Sequence, residues 1–390
     1  MTDISKKTAA VLALLALSAN FCFAQRSLKD MNRGTFPKQK QPDLEEELQK
    51  NRRPVNIINA PGVRQTTING NTIYIYDRPT SSNIPVYNQV TVSGGGYNPS
   101  FADQANPQFK NWAISAMGLD NTPYTGAGIV AAVLDSGVVQ HEQFCEGAVD
   151  ILNISGVDYD YDAYGHGTAI AGILGGCGPE GSGFSGVAPR VKMKVYKITD
   201  NQGNTNNINI GKAVQRILDY NRTHQSNPIS VINISYGLDS DDEVVYKALK
   251  AAYDSGIVIV APSGNDHAKK LAYPAAYDFV IAVGGLRPTR QIFERSNYGA
   301  GVAFVAPASA IYAPALGNSY GWVQGTSFAA PYISGMAVLI MEAYKKKYGS
   351  LPSPAKVREI MGKISEPQPN LLPQWQGLGL PNASKIDKVI

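Results

Sequence analysis

Gly128-Ile-Val-Ala-Ala-Val-Leu134 is an unbroken apolar run, and it stops at Asp135. A strand wetted on one face alternates apolar and polar residues, whereas a strand covered on both faces reads as a continuous apolar stretch. The run therefore predicts a central strand with helices above and below it. Four later segments read as further strands: Lys192-Met-Lys-Val-Tyr-Lys-Ile198, Ile229-Ser-Val-Ile-Asn-Ile-Ser235, Gly256-Ile-Val-Ile-Val-Ala261 and Phe279-Val-Ile-Ala-Val283. Between them, Ile210 to Tyr220 carries apolar residues at helical spacing, and Asp241 to Asp254 reads as a helix with an acidic first turn. Strands alternating with helices predict a three-layer α/β/α fold around a mostly parallel central sheet. Ligands in such folds bind at the carboxyl ends of the strands, and Asp135 stands at one of these ends. No internal repeat is present.

The chain has 390 residues, 44% hydrophobic and 17% charged, which describes a globular protein with a sizeable core. Its 38 glycines and 24 prolines imply many tight turns. The net charge of +4 is unevenly spread: residues 25–105 hold ten basic and seven acidic groups, and residues 106–390 hold 23 of each. A neutral body lacks the basic face that nucleic acid would demand, so no nucleic-acid partner is expected. Lys345-Lys-Lys-Tyr348 reads as a solvated helix end, where cations suit the dipole. Three cysteines are too few for a disulfide scaffold or a four-thiolate zinc site.

The amino terminus reads as an export signal over residues 1–24. Lys6 and Lys7 precede an apolar run from Ala9 to Leu17, and Cys22-Phe23-Ala24 places small residues one and three positions before a cut after Ala24. A short membrane anchor is the alternative, although the run is too short to span a bilayer comfortably. The expected location is secreted or periplasmic, with no membrane attachment after cleavage. Residues 25–105 differ in texture from the rest of the chain. They contain a charged stretch at Asp43 to Lys50 with helical character, one strand candidate at Thr72-Ile-Tyr-Ile-Tyr76, and a linker at Ser93-Gly-Gly-Gly96. Two readings are open for them, a removable pro-region or a retained extension. Residues 106–390 form the expected main domain.

Four segments carry chemistry. Val133-Leu-Asp-Ser-Gly137 holds Asp135, Gly165-His-Gly-Thr168 holds His166, Ser263-Gly-Asn265 comes after the fourth run, and Gly325-Thr-Ser-Phe-Ala-Ala-Pro331 places Ser327 ahead of a long apolar helix. Taken singly, Asp135, Asn265 and Ser327 are ordinary turn or cap residues and His166 is a histidine packed between glycines. Together they supply what acyl transfer needs. A serine hydroxyl requires a base to take its proton, a neutral imidazole suits that task near pH 7, and a buried carboxylate sets the tautomer. An amide and a backbone N–H can then receive the developing oxyanion.

The order aspartate, histidine, asparagine, serine resembles that of the subtilisin-like serine proteases. The resemblance runs over about residues 106–390 and extends to Ser185-Gly-Val-Ala-Pro189, Val231-Ile-Asn-Ile-Ser-Tyr-Gly237, Tyr273-Pro-Ala275 and Gly377 to Ala383. It implies an exported serine endopeptidase acting on protein or peptide substrates. In it Asp135 orients, His166 is base then acid, Ser327 is the nucleophile and Asn265 holds the oxyanion. The resemblance also implies that an extended peptide pairs along Ser235, Tyr236 and Gly237. It places Pro262, Ser263 and Gly264 at the wall of the first specificity pocket, where Pro262 and Ser263 stand in place of the family's usual small residues and imply an altered pocket, and it sets Ala272 near the floor, which favours a medium apolar side chain. A pro-region, if present, would occupy the cleft. A non-enzymatic binding module and an acyl-transferring ligase are the competing classes; the complete set argues against the first, and the lack of a helical insertion or lid against the second.

Two departures accompany the same resemblance. The position three after the catalytic histidine is Ala169 where the family commonly has histidine. Many relatives bind calcium near the first cleft loops, but Gln143 stands where an acidic ligand is expected and the loop Gly178 to Gly183 offers only Glu180. No cofactor is therefore expected: calcium is possible, but its usual ligands are not evident. Cys145 and Cys177 fall in those two regions, either as a disulfide that replaces the ion or as two free thiols. His141, His224 and His267 are assigned to surface or loop, since they show no metal-ligand spacing.

Overall fold

Alternation along the strands explains how the layers form. The computed structural model describes residues 112–178 and 185–390, together with the backbone of two short strands, β1 (Val63–Ile68) and β2 (Asn71–Tyr76), which pair antiparallel. The Thr72–Tyr76 strand candidate falls in β2. The expected export signal, the charged segment 43–50, the linker 93–96, the boundary near 105 and Glu180 lie outside the described residues.

After a short helix α1 (Trp112–Ala116), the chain builds β3 (Val130–Asp135), β4 (Val149–Asn153), helix α2 (His166–Gly175), β5 (Lys192–Lys197), α3 (Asn207–Thr223), β6 (Ile229–Ile234), α4 (Glu243–Asp254), β7 (Val258–Pro262), β8 (Ile281–Leu286) and β9 (Val302–Pro307). These strands form one seven-stranded sheet in the order β4-β5-β3-β6-β7-β8-β9, with every neighbouring pair parallel. An antiparallel hairpin comes next, β10 (Ile311–Ala315) and β11 (Ser319–Val323), and leads into helix α5 (Thr326–Tyr348) and then α6 (Pro354–Lys363). The expected α/β/α architecture is the observed one. The fifth apolar run lies two residues later than expected, in β8, and β4, β9 and the hairpin are additional to it.

Within β3, Ala131 and Val133 enter the core shared with α2 and α5, while Val130, Ala132 and Leu134 enter the core under α3 and α4. Helices α3 and α4 are amphipathic and conventionally capped. Asn206 accepts from Asn209 N–H, and Asp242 accepts from Val244 and Val245 N–H. Helix α5 is different. It is long and apolar enough to cross a membrane, yet 94% of its most apolar window is buried in the protein, which makes it the central core helix. Gly335 lets it approach closely, because a Cβ there would stand 2.5 Å from the Cβ of Val187.

Candidate active site

Asp135 is the last residue of β3 and is fully buried. The alternation that sends Ala131 and Val133 toward α2 sends Asp135 the same way, so its carboxylate meets the start of α2. There His166 is the first helical residue, and its Nδ1 lies 2.8 Å from Asp135 Oδ1. The same oxygen accepts the Ser136 N–H at 2.7 Å. A hydrogen bond from Nδ1 to the carboxylate leaves Nε2 as the free basic nitrogen. Burial opposes the imidazolium, but the charge of Asp135, its hydrogen bond and the charge of Asp162 together outweigh burial and hold His166 above the ordinary histidine value.

The position of α2 depends on two features beyond the histidine motif. Gly167 allows the helix to touch the β3 turn: a Cβ there would lie 2.2 Å from Gly137 O, forcing His166 away from Asp135. Asp162 caps the helix, because the N-cap residue Gly165 has no side chain to do so. Its Oδ1 accepts from Tyr164 and Gly165 N–H at 2.9 and 2.7 Å, and its Oδ2 from Thr168 N–H and Oγ1 at 2.9 and 2.7 Å.

Ser327 lies in the first turn of α5, after Gly325 at φ 136°, a conformation suited to glycine. Its backbone N–H has no carbonyl one turn back to receive it. The Phe328 ring stands 5.2 Å from the His166 ring, centroid to centroid, which brings the imidazole beside this first turn. Pro331, four residues after Ser327, lacks the N–H that would normally bond the Ser327 carbonyl. The Ser235 hydroxyl fills that place at 2.9 Å. Ser235 Oγ accepts in turn from Asn233 Nδ2 at 2.9 Å, and Asn233 Oδ1 accepts from Ser334 Oγ at 2.8 Å. This buried polar line moors the first turn of α5 to β6.

Asn265 lies just after β7. Its Oδ1 accepts the Thr326 N–H at 2.9 Å and the Thr326 hydroxyl at 3.0 Å, which leaves its NH₂ group to donate elsewhere. Asp135, His166, Asn265 and Ser327 thus come from the ends of β3 and β7 and the starts of α2 and α5, at the carboxyl ends of interior strands. Tyr236 is buried with its ring 5.8 Å from that of His166, centroid to centroid. Leu238 and Tyr273 exchange backbone hydrogen bonds, joining the 235–237 segment to the 272–274 segment. Ala272 N–H donates to Ser263 O at 2.9 Å, so these two expected pocket residues are neighbours, with Pro262 and Gly264 alongside. The Ser263 hydroxyl faces the Ser296 hydroxyl at 3.4 Å in the interior.

The Cys145 and Cys177 sulfurs are joined in a disulfide, with Cα atoms 5.8 Å apart. Gln143 does not fit a calcium ligand. It is fully buried, its Oε1 accepts from the Tyr320 hydroxyl at 2.9 Å, and its backbone carbonyl accepts the Cys177 N–H at 2.9 Å. Among the described residues no cluster of three or more His, Cys, Asp or Glu side chains is arranged for a metal. His141 is in a loop, one of the two settings expected for it. It is buried, with Nε2 2.7 Å from Ser319 O on the hairpin. His224 and His267 are exposed. The residues that sequence reading missed are Asp162, Lys197, Ser235 as a mooring group, Asn233 and Ser334. For Lys197, Asn233 and Ser334 the available signal was a polar residue inside an apolar strand or helix; Asp162 and Ser235 lie in loops, where no such signal marks them.

The comparisons with known proteins agree with this geometry. The subtilase family, Peptidase_S8, matches residues 126–379. The chain is 31% identical to Subtilisin DY from Bacillus licheniformis over 57% of its own length and 79% of that protein. It is 31% identical to Subtilisin BL from Lederbergia lenta over 59% and 84%. Its match to the minor extracellular protease Epr from Bacillus subtilis (strain 168) is 34% identical over 56% of this chain but only 33% of that protein. The chain belongs to the subtilase family and is by that membership a serine-type endopeptidase, with proteins or peptides as its substrates.

Proposed function

We propose that this protease works through an acyl-enzyme on Ser327, with His166 as general base and then acid, Asp135 as the orienting carboxylate, and Asn265 Nδ2 with the Ser327 N–H as oxyanion donors. The observation that carries the reading is the 2.8 Å contact between the buried Asp135 carboxylate and His166 Nδ1 at the start of α2. Nε2 takes the Ser327 proton as Oγ attacks the scissile carbonyl. The electron pair moves to the carbonyl oxygen, which the two donors and the positive end of α5 stabilise. Collapse of the intermediate expels the amine, which receives the proton from Nε2, and water then releases the acyl group by the same route in reverse. The substrate lies extended along Ser235 to Gly237 as an added strand, and Ala272 favours a medium apolar side chain in the first pocket. A fluorophosphonate probe tests the reading: mature protein labels at Ser327 and the Ser327→Ala variant does not. Unlabelled mature wild type would refute it.

The same reading makes the chain an exported protein cut after Ala24, and residues 25–105 a removable pro-region. The basic start and apolar run support export. The Cys145–Cys177 disulfide fits an oxidising compartment. Amino-terminal sequencing of purified protein locates the cuts, and a Ser327→Ala chain that keeps residues 25–105 supports self-processing. The disulfide stands in for the calcium of relatives by tying the Gln143 loop to the end of α2. Closing a loop of 32 residues stabilises by about 3–4 kcal/mol in the chain-entropy estimate. Reductant should therefore lower the melting temperature, while a chelator should leave it unchanged; a large chelator effect would exclude this assignment.

A further inference from the structure

Lys197 ends β5 and is fully buried, yet the catalytic steps leave it without a task. It is the register partner of Asp135 across the parallel β3–β5 pair. Register partners in a parallel pair share a face, and Met193 and Val195, which precede Lys197 on β5, pack in the same core as Ala131 and Val133. Asp135 and Lys197 therefore stand side by side at the strand ends, facing α2. A fully buried lysine is rare unless its ammonium is paired. Here Nζ donates to Ser136 O at 2.9 Å. Ser136 also gives its N–H to Asp135 Oδ1, and its Oγ accepts the Gly167 N–H at 2.8 Å. One residue thus links the ammonium, the carboxylate and the first turn of α2.

The charges around this point come from every neighbouring element. Asp135 lies on β3, Asp160 and Asp162 precede α2, Asp200 comes after β5, His166 opens α2, and the Tyr159 ring centroid lies 5.8 Å from Nζ. Asp162 has both oxygens filled by α2, and Asp200 uses both of its oxygens on Gln202 and Asn204 in its own loop. Lys197 acts on these two through space. Burial pushes its ammonium below the ordinary lysine value, and Asp162, Asp200, Asp135 and Asp160 pull it back.

We propose that Lys197 is a positioning residue for Ser327 chemistry: it anchors the Asp135–Ser136–Gly137 turn and supplies a buried positive charge that offsets Asp135 and Asp162 beside His166. The inference rests on the proposed catalytic roles of Ser327, His166 and Asp135. Two carboxylates next to one imidazole favour imidazolium, the form that cannot act as base. Lys197 opposes that bias, so its removal raises the histidine titration.

The test uses full-length, processed Lys197→Met and Lys197→Gln enzymes. Glutamine keeps a donor for Ser136 O but removes the charge. The readouts are the pH profile of kcat/KM on a peptide substrate, kcat and KM separately, and melting temperature. In both variants the acid limb should move up by about half a unit or more, with kcat down at least tenfold in Lys197→Met, less in Lys197→Gln, and KM within about twofold. An unmoved acid limb in a folded variant would overturn the proposal, even with a lowered melting temperature, because that outcome is a structural role alone. Failure of both variants to fold also counts against it. Fluorophosphonate labelling of wild type separates the two ideas: an unlabelled wild type sinks the catalytic reading, whereas a labelled wild type with unchanged variant profiles sinks only the role of Lys197.

Discussion

The two faces of the central sheet are built on different rules. Under α3 and α4 the strands offer mainly apolar side chains, and the helices return amphipathic faces with polar caps at the water boundary. Under α2 and α5 the strands offer Asp135, Lys197 and Asn233 among their apolar residues, and α5 is buried along most of its length. A buried polar group needs a partner or it costs roughly 1–3 kcal/mol. The polar residues of the α2/α5 face accordingly meet groups on α2, α5 and the strand turns. Both faces supply core; the α2/α5 face in addition holds Asp135, Lys197 and Asn233 by burying them against partners. The difference teaches that activity should respond to the polar groups of the α2/α5 face, whereas stability should respond to packing and capping on either face.

The sharpest way to break this comparison is Asp135→Asn. It should reduce kcat by about 10⁴ through loss of the tautomer, with the melting temperature changed far less than activity. The wild-type acid limb of kcat/KM should lie above 6.5, because Asp135 and Asp162 hold His166 above that value; activity is then lost as pH falls through the raised value. In Asp135→Asn the largest opposing influence, burial, remains, so any residual limb should move down. An acid limb below 6.5 in wild type would contradict the assigned balance. Next in size, Asn265→Ala should lower kcat by about 10²–10³ with KM little changed, the magnitude such a donor carries in a subtilisin. Equal losses in a substrate-binding assay would assign Asn265 to ground-state contact instead.

Smaller effects sharpen the contrast on the stability side. Gly335→Ala gains about 1 kcal/mol of helix propensity, but it drives a methyl into Val187 at 2.5 Å. Overpacking of about 1–3 kcal/mol should win, which a denaturant melt would read as a lower midpoint. On the other face, Asp242→Ala removes the cap of α4 and should cost about 1 kcal/mol while leaving kcat/KM at the wild-type value. A loss of activity there would erase the division between the faces.

How far each part could be read in advance depends on its environment. Helices α3 and α4 were legible because one side of each is wet, which stamps a period on the sequence. Helix α5 has no such period, and its composition equally suits a membrane span. Strand β4 was missed because Leu152 points outward, 45% exposed, and spoils its alternation. Strand β9 and the hairpin merged into one stretch rich in Ala and Pro between Val302 and Ala315. Asn233 is one polar residue inside an apolar strand run, and only its burial against Ser334 and Ser235 gives it a task.

From the chain alone came the chemical identities: which aspartate, histidine, asparagine and serine, in which order, at the ends of which apolar runs. Folding added the partners. Asp162 beneath α2, Lys197 abreast of Asp135, and the line from Ser334 through Asn233 and Ser235 to the Ser327 carbonyl all join residues from separate elements. Strand alternation and helical period are local properties that a sequence displays directly. The register between two strands, and the helix turn that lands on them, depend on the packing of the whole core, so no spacing in the chain announces them.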